Sequence, residues 1–139
     1  MAGIYLHIPF CKSRCIYCGF FSTTSLQRRH AYVDAVVEEL YQRRSFLSGA
    51  SIDTVYFGGG TPSQLSPEEL ERALNAIYYL YNVRGNAEVT LEGNPDDLTP
   101  EFLHHLRALG INRLSMGVQT FDETRLQFLH RRHTAAQAM

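Results

Sequence analysis

Four short strand-like stretches, separated by helical periodicity, restrict this 139-residue chain to a small set of folds. They fall near residues 4–8, 53–57, 87–92 and 113–118, each five or six residues long as strands usually are. Between the first two, Val33, Val36, Val37, Leu40 and Leu47 recur at three- and four-residue steps, which predicts a helix over 30–46. Ser66-Pro67 with Glu69 reads as N-cap, first helical residue and capping box. Leu70, Leu74, Ile77 and Tyr81 give that helix its buried stripe, and Gly85-Asn86 is expected to close it. Thr99-Pro100 starts a third helix, lined by Leu103, Leu106 and Leu109 and ended by a left-handed Gly110. Asp122 caps a fourth, with Phe121 and Leu126 placed as a hydrophobic staple. Beyond it no terminal element is evident. Strands alternating with helices of crossover length predict an α/β fold with a parallel sheet and right-handed connections. Four such strands leave the last as a bare edge, so Leu114, Met116 and Val118 need cover. The expected architecture is the N-terminal part of an open (β/α) barrel.

The chemistry-bearing residues cluster where such a fold binds ligands. Cys11, Cys15 and Cys18 follow the first strand in a C-x3-C-x2-C spacing. Gly58-Gly59-Gly60-Thr61-Pro62 follows the second, Glu92-Gly93-Asn94-Pro95 the third, and Gln119 the fourth. The C-terminal ends of parallel strands form one rim, and four independent signals landing there predict one site. Glycines directly after a strand let a ligand approach backbone N–H groups, since no Cβ intervenes. Glu92 at the inner end of a strand is costly unless it binds something. Arg28-Arg29-His30 and His130-Arg131-Arg132-His133 read as solvated helix faces, and His104 and His105 as surface residues.

Three thiolates are an incomplete set for a closed tetrahedral zinc site, which takes four protein ligands. A cubane iron–sulfur cluster offers four irons, so three cysteines leave one iron open. Zinc completed by His7 or another side chain also remains open at this point. An odd, tightly spaced cysteine count argues against a disulfide framework and for a reducing compartment, the cytoplasm. A net charge of −1 gives no electrostatic case for nucleic acid or anionic membrane. The N-terminus shows no secretory pattern, and no run reaches the ~20 apolar residues of a membrane span.

With C-x3-C-x2-C at strand one, GGGTPS at strand two, E-G-N-P at strand three and RLSMGVQTF at strand four, the chain resembles radical S-adenosylmethionine (SAM) proteins. More narrowly, it resembles the branch holding oxygen-independent coproporphyrinogen III oxidase and the heme chaperone HemW. The resemblance runs from Ile4 to about His133 and implies a radical SAM partial barrel. Because complete family members are longer, it implies a single truncated core over 1–139, with later barrel strands and a C-terminal domain beyond it.

It also implies that Cys11, Cys15 and Cys18 hold a 4Fe-4S cluster whose fourth iron is chelated by SAM. Tyr5, Gly59 and Glu92 would contact that SAM. Tyr17, Gly60, Thr61, Gln119 and Arg131 match positions that hold a second SAM in the oxidase. The family often reads L-G-R-x-H where this chain has Leu129-His130-Arg131-Arg132-His133, which puts Arg131 in question. Phe20 stands where the oxidase carries a further cysteine, and Thr120 where it carries aspartate, so the pattern is HemW-like. The implied partners are SAM, heme or porphyrin, an electron donor and a heme-accepting protein, with the heme site outside this stretch. The alternatives are the oxidase itself, an oxidative decarboxylase of coproporphyrinogen III, and more remotely a zinc-stabilised α/β binding module.

Overall fold

The computed structural model describes residues 2–139. Strand β1 is Ala2–Ile8, followed by helix α1, Arg29–Gln42. Strand β2, Ile52–Gly59, leads to α2, Pro67–Leu80, and β3, Val83–Gly93, to α3, Pro100–Ala108. Strand β4, Arg113–Met116, precedes two short helices, α4 (Glu123–Phe128) and α5 (Ala135–Ala138). The strands form one sheet in the order β1-β2-β3-β4, parallel throughout. An order that never reverses, with right-handed crossovers, keeps successive helices on one face of the sheet. The expected α/β class and parallel sheet are therefore the observed ones.

The two faces differ as this topology requires. Leu6, Ile8, Val55, Phe57, Val89 and Leu91 are buried against Val33 and Leu40 of α1, Leu70, Leu74 and Ile77 of α2, and Leu106 of α3. The alternate positions are polar. Tyr5, Tyr56, Thr90 and Arg113 form one register row across all four strands, and Glu92 pairs with Ser115 in another. A parallel sheet usually has both faces covered by apolar packing. Here one face carries polar groups, and Tyr5 on it is 57% exposed, the pattern of a barrel interior. At the outer edge Leu114 and Met116 are 40% and 49% exposed, as expected of a strand paired on one side.

Local chemistry sets most boundaries. Ser66 and Glu69 form the reciprocal capping box, while Thr99 and Asp122 cap α3 and α4 through their side chains. Gly110, at φ 87°, ends α3.

Four boundary or packing expectations fail. Helix α1 stops at Gln42, and 43–49 become turns in which Ser48 and Gly49 both take positive φ. Gly85-Asn86 does not close α2. That helix ends at Leu80 because Tyr81 goes extended and its hydroxyl donates to the Leu40 carbonyl at 2.9 Å. The Gly-Asn pair instead lies in β3, where the β2–β3 register shifts. Leu103 is exposed on α3 and Phe121 beside α4, so neither adds to the buried stripe or staple expected of it. Helix α5 was not anticipated. It is built on a Thr134–Gln137 capping box, and the Ala135 N–H donates to Glu123 at 2.6 Å. Among the described residues, no helix is long and apolar enough to cross a membrane.

Candidate functional site

The cysteine loop is pinched at its neck. The Thr23 N–H donates to the Pro9 carbonyl at 2.7 Å, and the Cys11 N–H returns to the Thr23 carbonyl at 2.9 Å. Phe10, 1% exposed, anchors the neck edge-on against Tyr32. Cys11 is thereby buried at the base, while Cys15 and Cys18 sit half-buried on the loop, joined by an N–H···O bond of 3.1 Å. All three thiols are unpaired with one another.

His7 supports this loop from below and does not join it. Its Nε2 lies 3.0 Å from the Phe21 carbonyl and its Nδ1 3.3 Å from the Tyr5 hydroxyl, so one ring nitrogen donates and the other accepts. Both nitrogens are thus engaged away from the sulfurs, which counts against the zinc site with His7 as fourth ligand. Among the described residues, no three His, Cys, Asp or Glu side chains are grouped to hold a single metal ion.

The glycine triplet lets strand and loop touch. The Gly60 N–H donates to the Ile8 carbonyl at 2.8 Å. A Cβ on Gly60 would stand 2.9 Å from that carbonyl oxygen and 3.1 Å from the Cys11 sulfur. Gly59, at φ 111°, would drive a Cβ to 2.6 Å from the His7 ring. Next in sequence, buried Thr61 donates from Oγ1 to the Cys11 sulfur at 3.2 Å.

Strand β3 brings Glu92 to the rim. Its Oε1 accepts from the Tyr56 hydroxyl at 2.6 Å and its Oε2 from the Gly59 N–H at 3.2 Å. That bond, followed by burial, raises the Tyr56 pKa above its ordinary value. Just beyond, Asp97 is a buried hub. It accepts from Lys12 at 2.9 Å, Ser63 at 2.9 Å and Gln64 at 2.6 Å, and from Arg132 at 3.2 Å. One carboxylate therefore ties together the cysteine loop, the loop after β2, the loop after β3 and the segment after α4.

The run His130–His133 is the largest correction to the sequence reading, which placed it on a solvated helix face. Helix α4 ends in a Schellman motif: the His130 N–H donates to the Gln127 carbonyl at 3.0 Å and the Arg131 N–H to the Leu126 carbonyl at 2.9 Å. This turns the next three side chains back to the rim. Arg131 donates to the Cys15 sulfur at 3.2 Å, to Asn94 Oδ1 at 2.7 Å and to the Gly117 carbonyl, while its Nε is buried without a partner among the described residues. Arg132 pairs with Asp96 at 2.8 Å and with Asp97, and His133 is buried with Nε2 3.1 Å from the Val118 carbonyl. The missing glycine is explained as well. His130 occupies the left-handed C′ position at φ 55°, so the turn survives without it. Arg29 also departs from a solvated reading, since it donates to the Gln64 carbonyl and faces Glu69 at 3.6 Å.

These segments enclose a cavity of about 240 Å³. Cys11, Cys15, Cys18, Tyr17, Gly59, Gly60, Thr61, Glu92, Gln119 and Arg131 all border it. Tyr5 does not; it lies beside the cavity, stacked on Tyr56 with ring centroids 6.0 Å apart. Gln119 holds φ 68°, an uncommon backbone for a non-glycine residue and one that clusters at functional sites. Burial, then the adjacent Cys15, push the Tyr17 phenol up, with Arg131 opposing. Sequence reasoning missed Asp97 and Tyr56. The strand alternation could have found Tyr56, two residues before Gly58 and on the face that carries Glu92.

The radical SAM superfamily model matches residues 5–139. The heme chaperone HemW of Lactococcus lactis is 41% identical over 96% of this chain and 34% of its own length. The oxygen-independent coproporphyrinogen III oxidase of Escherichia coli is 35% identical over 87% of this chain and 27% of its own. The solved structure of the Escherichia coli oxidase HemN, described as a radical SAM enzyme, superposes with a TM-score of 0.90 at 31% identity, covering 98% of this chain and 32% of that one. The chain thus spans about a third of the length of these relatives.

Proposed function

Because the chain belongs to the radical SAM superfamily, we propose that Cys11, Cys15 and Cys18 hold a 4Fe-4S cluster, with SAM on the iron they leave open. The observation that carries this reading is the single cavity bordered by all three cysteines, the glycine loop and Glu92. The residues present fit such a group. The donor set is three unpaired thiols bordering one cavity, and Gly60 borders it too, where a Cβ would crowd the Cys11 sulfur. Arg131 offers a cation that donates to the Cys15 sulfur and whose buried Nε has no partner among the described residues, which suits an anionic thiolate-bound cluster. When bound, such a cluster supplies the single electron that reductively cleaves the SAM sulfonium.

The chain's own residues have binding and positioning roles. Gly59 would present backbone to the methionyl end of SAM, Glu92 would accept from its ribose hydroxyls, and Gly60 stays with the positions that match a second SAM. Tyr5 stacks on Tyr56, whose hydroxyl holds Glu92, on the sheet's polar face. Thr61 and Arg131 already donate to the sulfurs of Cys11 and Cys15, so we assign them to the cluster loop in preference to a second SAM. Tyr17 and Gln119 border the same cavity and would meet whatever lies outermost in it.

For the whole protein, the reading is HemW-like delivery of heme in a reducing compartment, with an electron donor and a heme-accepting protein as partners. Phe20 supports it: this side chain borders the cavity, 69% exposed, at the position where the oxidase carries a cysteine. The second reading is oxidative decarboxylation of coproporphyrinogen III, supported by the likeness to HemN. Heme titration and an anaerobic coproporphyrinogen turnover assay, on the complete reconstituted protein, separate the two. Heme binding without turnover supports delivery; turnover without heme binding overturns it.

A further inference from the structure

Glu92 is a flexible side chain with three torsions to fix, and a free glutamate loses rotamer entropy on being ordered. Here two donors fix it before any ligand arrives. The Gly59 N–H holds Oε2 at 3.2 Å and the Tyr56 hydroxyl holds Oε1 at 2.6 Å, a short bond of the charge-assisted kind. Each carboxylate oxygen has about two acceptor sites, so each keeps one for a ligand donor. That leaves two acceptors side by side, the match for a vicinal diol such as the 2′- and 3′-hydroxyls of a ribonucleoside.

Tyr56 is itself held on two sides. A Cβ on Gly58 would fall 2.8 Å from the Tyr56 ring and 3.0 Å from the Tyr5 ring, so both aromatics pack onto glycine backbone. Tyr5 stacks on Tyr56 with an interplanar angle of 23°. The platform Gly58–Tyr56–Tyr5 therefore sets the phenol oxygen, and the phenol sets the carboxylate.

We propose that Tyr56 is a positioning residue for nucleoside binding, orienting Glu92 so that both of its oxygens face the diol. The inference rests on the assignment of Glu92 to SAM. The test is a double-mutant cycle on the reconstituted full chain, reading the dissociation constant for SAM by anaerobic calorimetry and cluster content at 410 nm. Tyr56→Phe should raise the dissociation constant about 5- to 20-fold with cluster content unchanged, as loss of one hydrogen bond to a charged group implies. Placed on Glu92→Ala, Tyr56→Phe should add nothing. Wild-type affinity in Tyr56→Phe, or the same fold-loss on both backgrounds, overturns the inference while leaving Glu92 in place. An unchanged affinity in Glu92→Ala overturns the assignment of Glu92 and the inference together.

Discussion

The Arg131 guanidinium donates to the Cys15 sulfur at 3.2 Å across 116 positions of sequence. The same group holds Asn94 and the Gly117 carbonyl, so one side chain joins the cysteine loop to the ends of β3 and β4. Arg131→Ala should lower stability by about 1–3 kcal/mol, because three acceptors lose their donor in a half-buried place. Arg131→Lys should recover only part of that, since a single ammonium lacks the planar fork that reaches several acceptors. Chemical denaturation of the three proteins checks both statements; full recovery by lysine would contradict the geometry.

Asp97 gathers Lys12, Ser63, Gln64 and Arg132 around one buried carboxylate. Asp97→Asn keeps the shape and removes the charge, leaving two cations without their shared counterion. Because Lys12 is half exposed and Arg132 keeps Asp96 at 2.8 Å, the expected cost is roughly 1–2 kcal/mol. Lys12 lies next to Cys11, so a reconstituted cluster should also be stripped faster by a chelator in this variant. A core change at least as destabilising, Leu74→Ala, should strip more slowly than Asp97→Asn when both are compared well below their unfolding midpoints.

His130 stands at the C′ position of a Schellman motif with φ 55°, where a side chain is strained and glycine is at ease. His130→Gly should stabilise the protein by about 0.5–1 kcal/mol despite the added unfolded-state freedom. A lower urea midpoint in the glycine variant would show that the imidazole makes a favourable contact outweighing the backbone strain.

His133 is buried, with one nitrogen near the Val118 carbonyl and its Nδ1 unpartnered among the described residues. Burial, then the Arg131 charge, lower its pKa from 6.5, while the Val118 carbonyl, Asp96 and Glu123 act in the opposite sense. The unfolded chain therefore takes up this proton first as pH falls. Stability from the neutral ring is fully present above 6.5 and declines as pH drops from there toward the folded value. His133→Gln should flatten that limb of the stability–pH curve, and a curve parallel to wild type would contradict the assignment.

What the sequence made legible was local or periodic. Glu88, Thr90 and Glu92 alternate with Val89 and Leu91, which set strand β3 and its two faces. Ser66, Thr99, Asp122 and Gly110 carry their capping chemistry within a few residues, and each acts as expected. The rim followed from motifs placed after strands. What escaped depended on distant partners. Tyr81 ends α2 by reaching Leu40, so the glycine further on was a misleading stop signal. The charged run at 130–133 has a solvated pattern by composition, yet its carboxylate, amide, carbonyl and sulfur partners lie in other loops. Only the turn at His130, written in a backbone angle, directs those side chains inward.

In the proposed function, three cysteines leave one iron of the cluster for SAM. The most direct measurement is electron paramagnetic resonance of the anaerobically reconstituted, reduced protein, recorded before and after SAM is added. About four irons per chain, a reduced-cluster signal and a change in its g-values on addition of SAM are expected. Loss of the signal is predicted for Cys11→Ser, Cys15→Ser and Cys18→Ser. Zinc in place of iron, or a cluster signal indifferent to SAM, would contradict it.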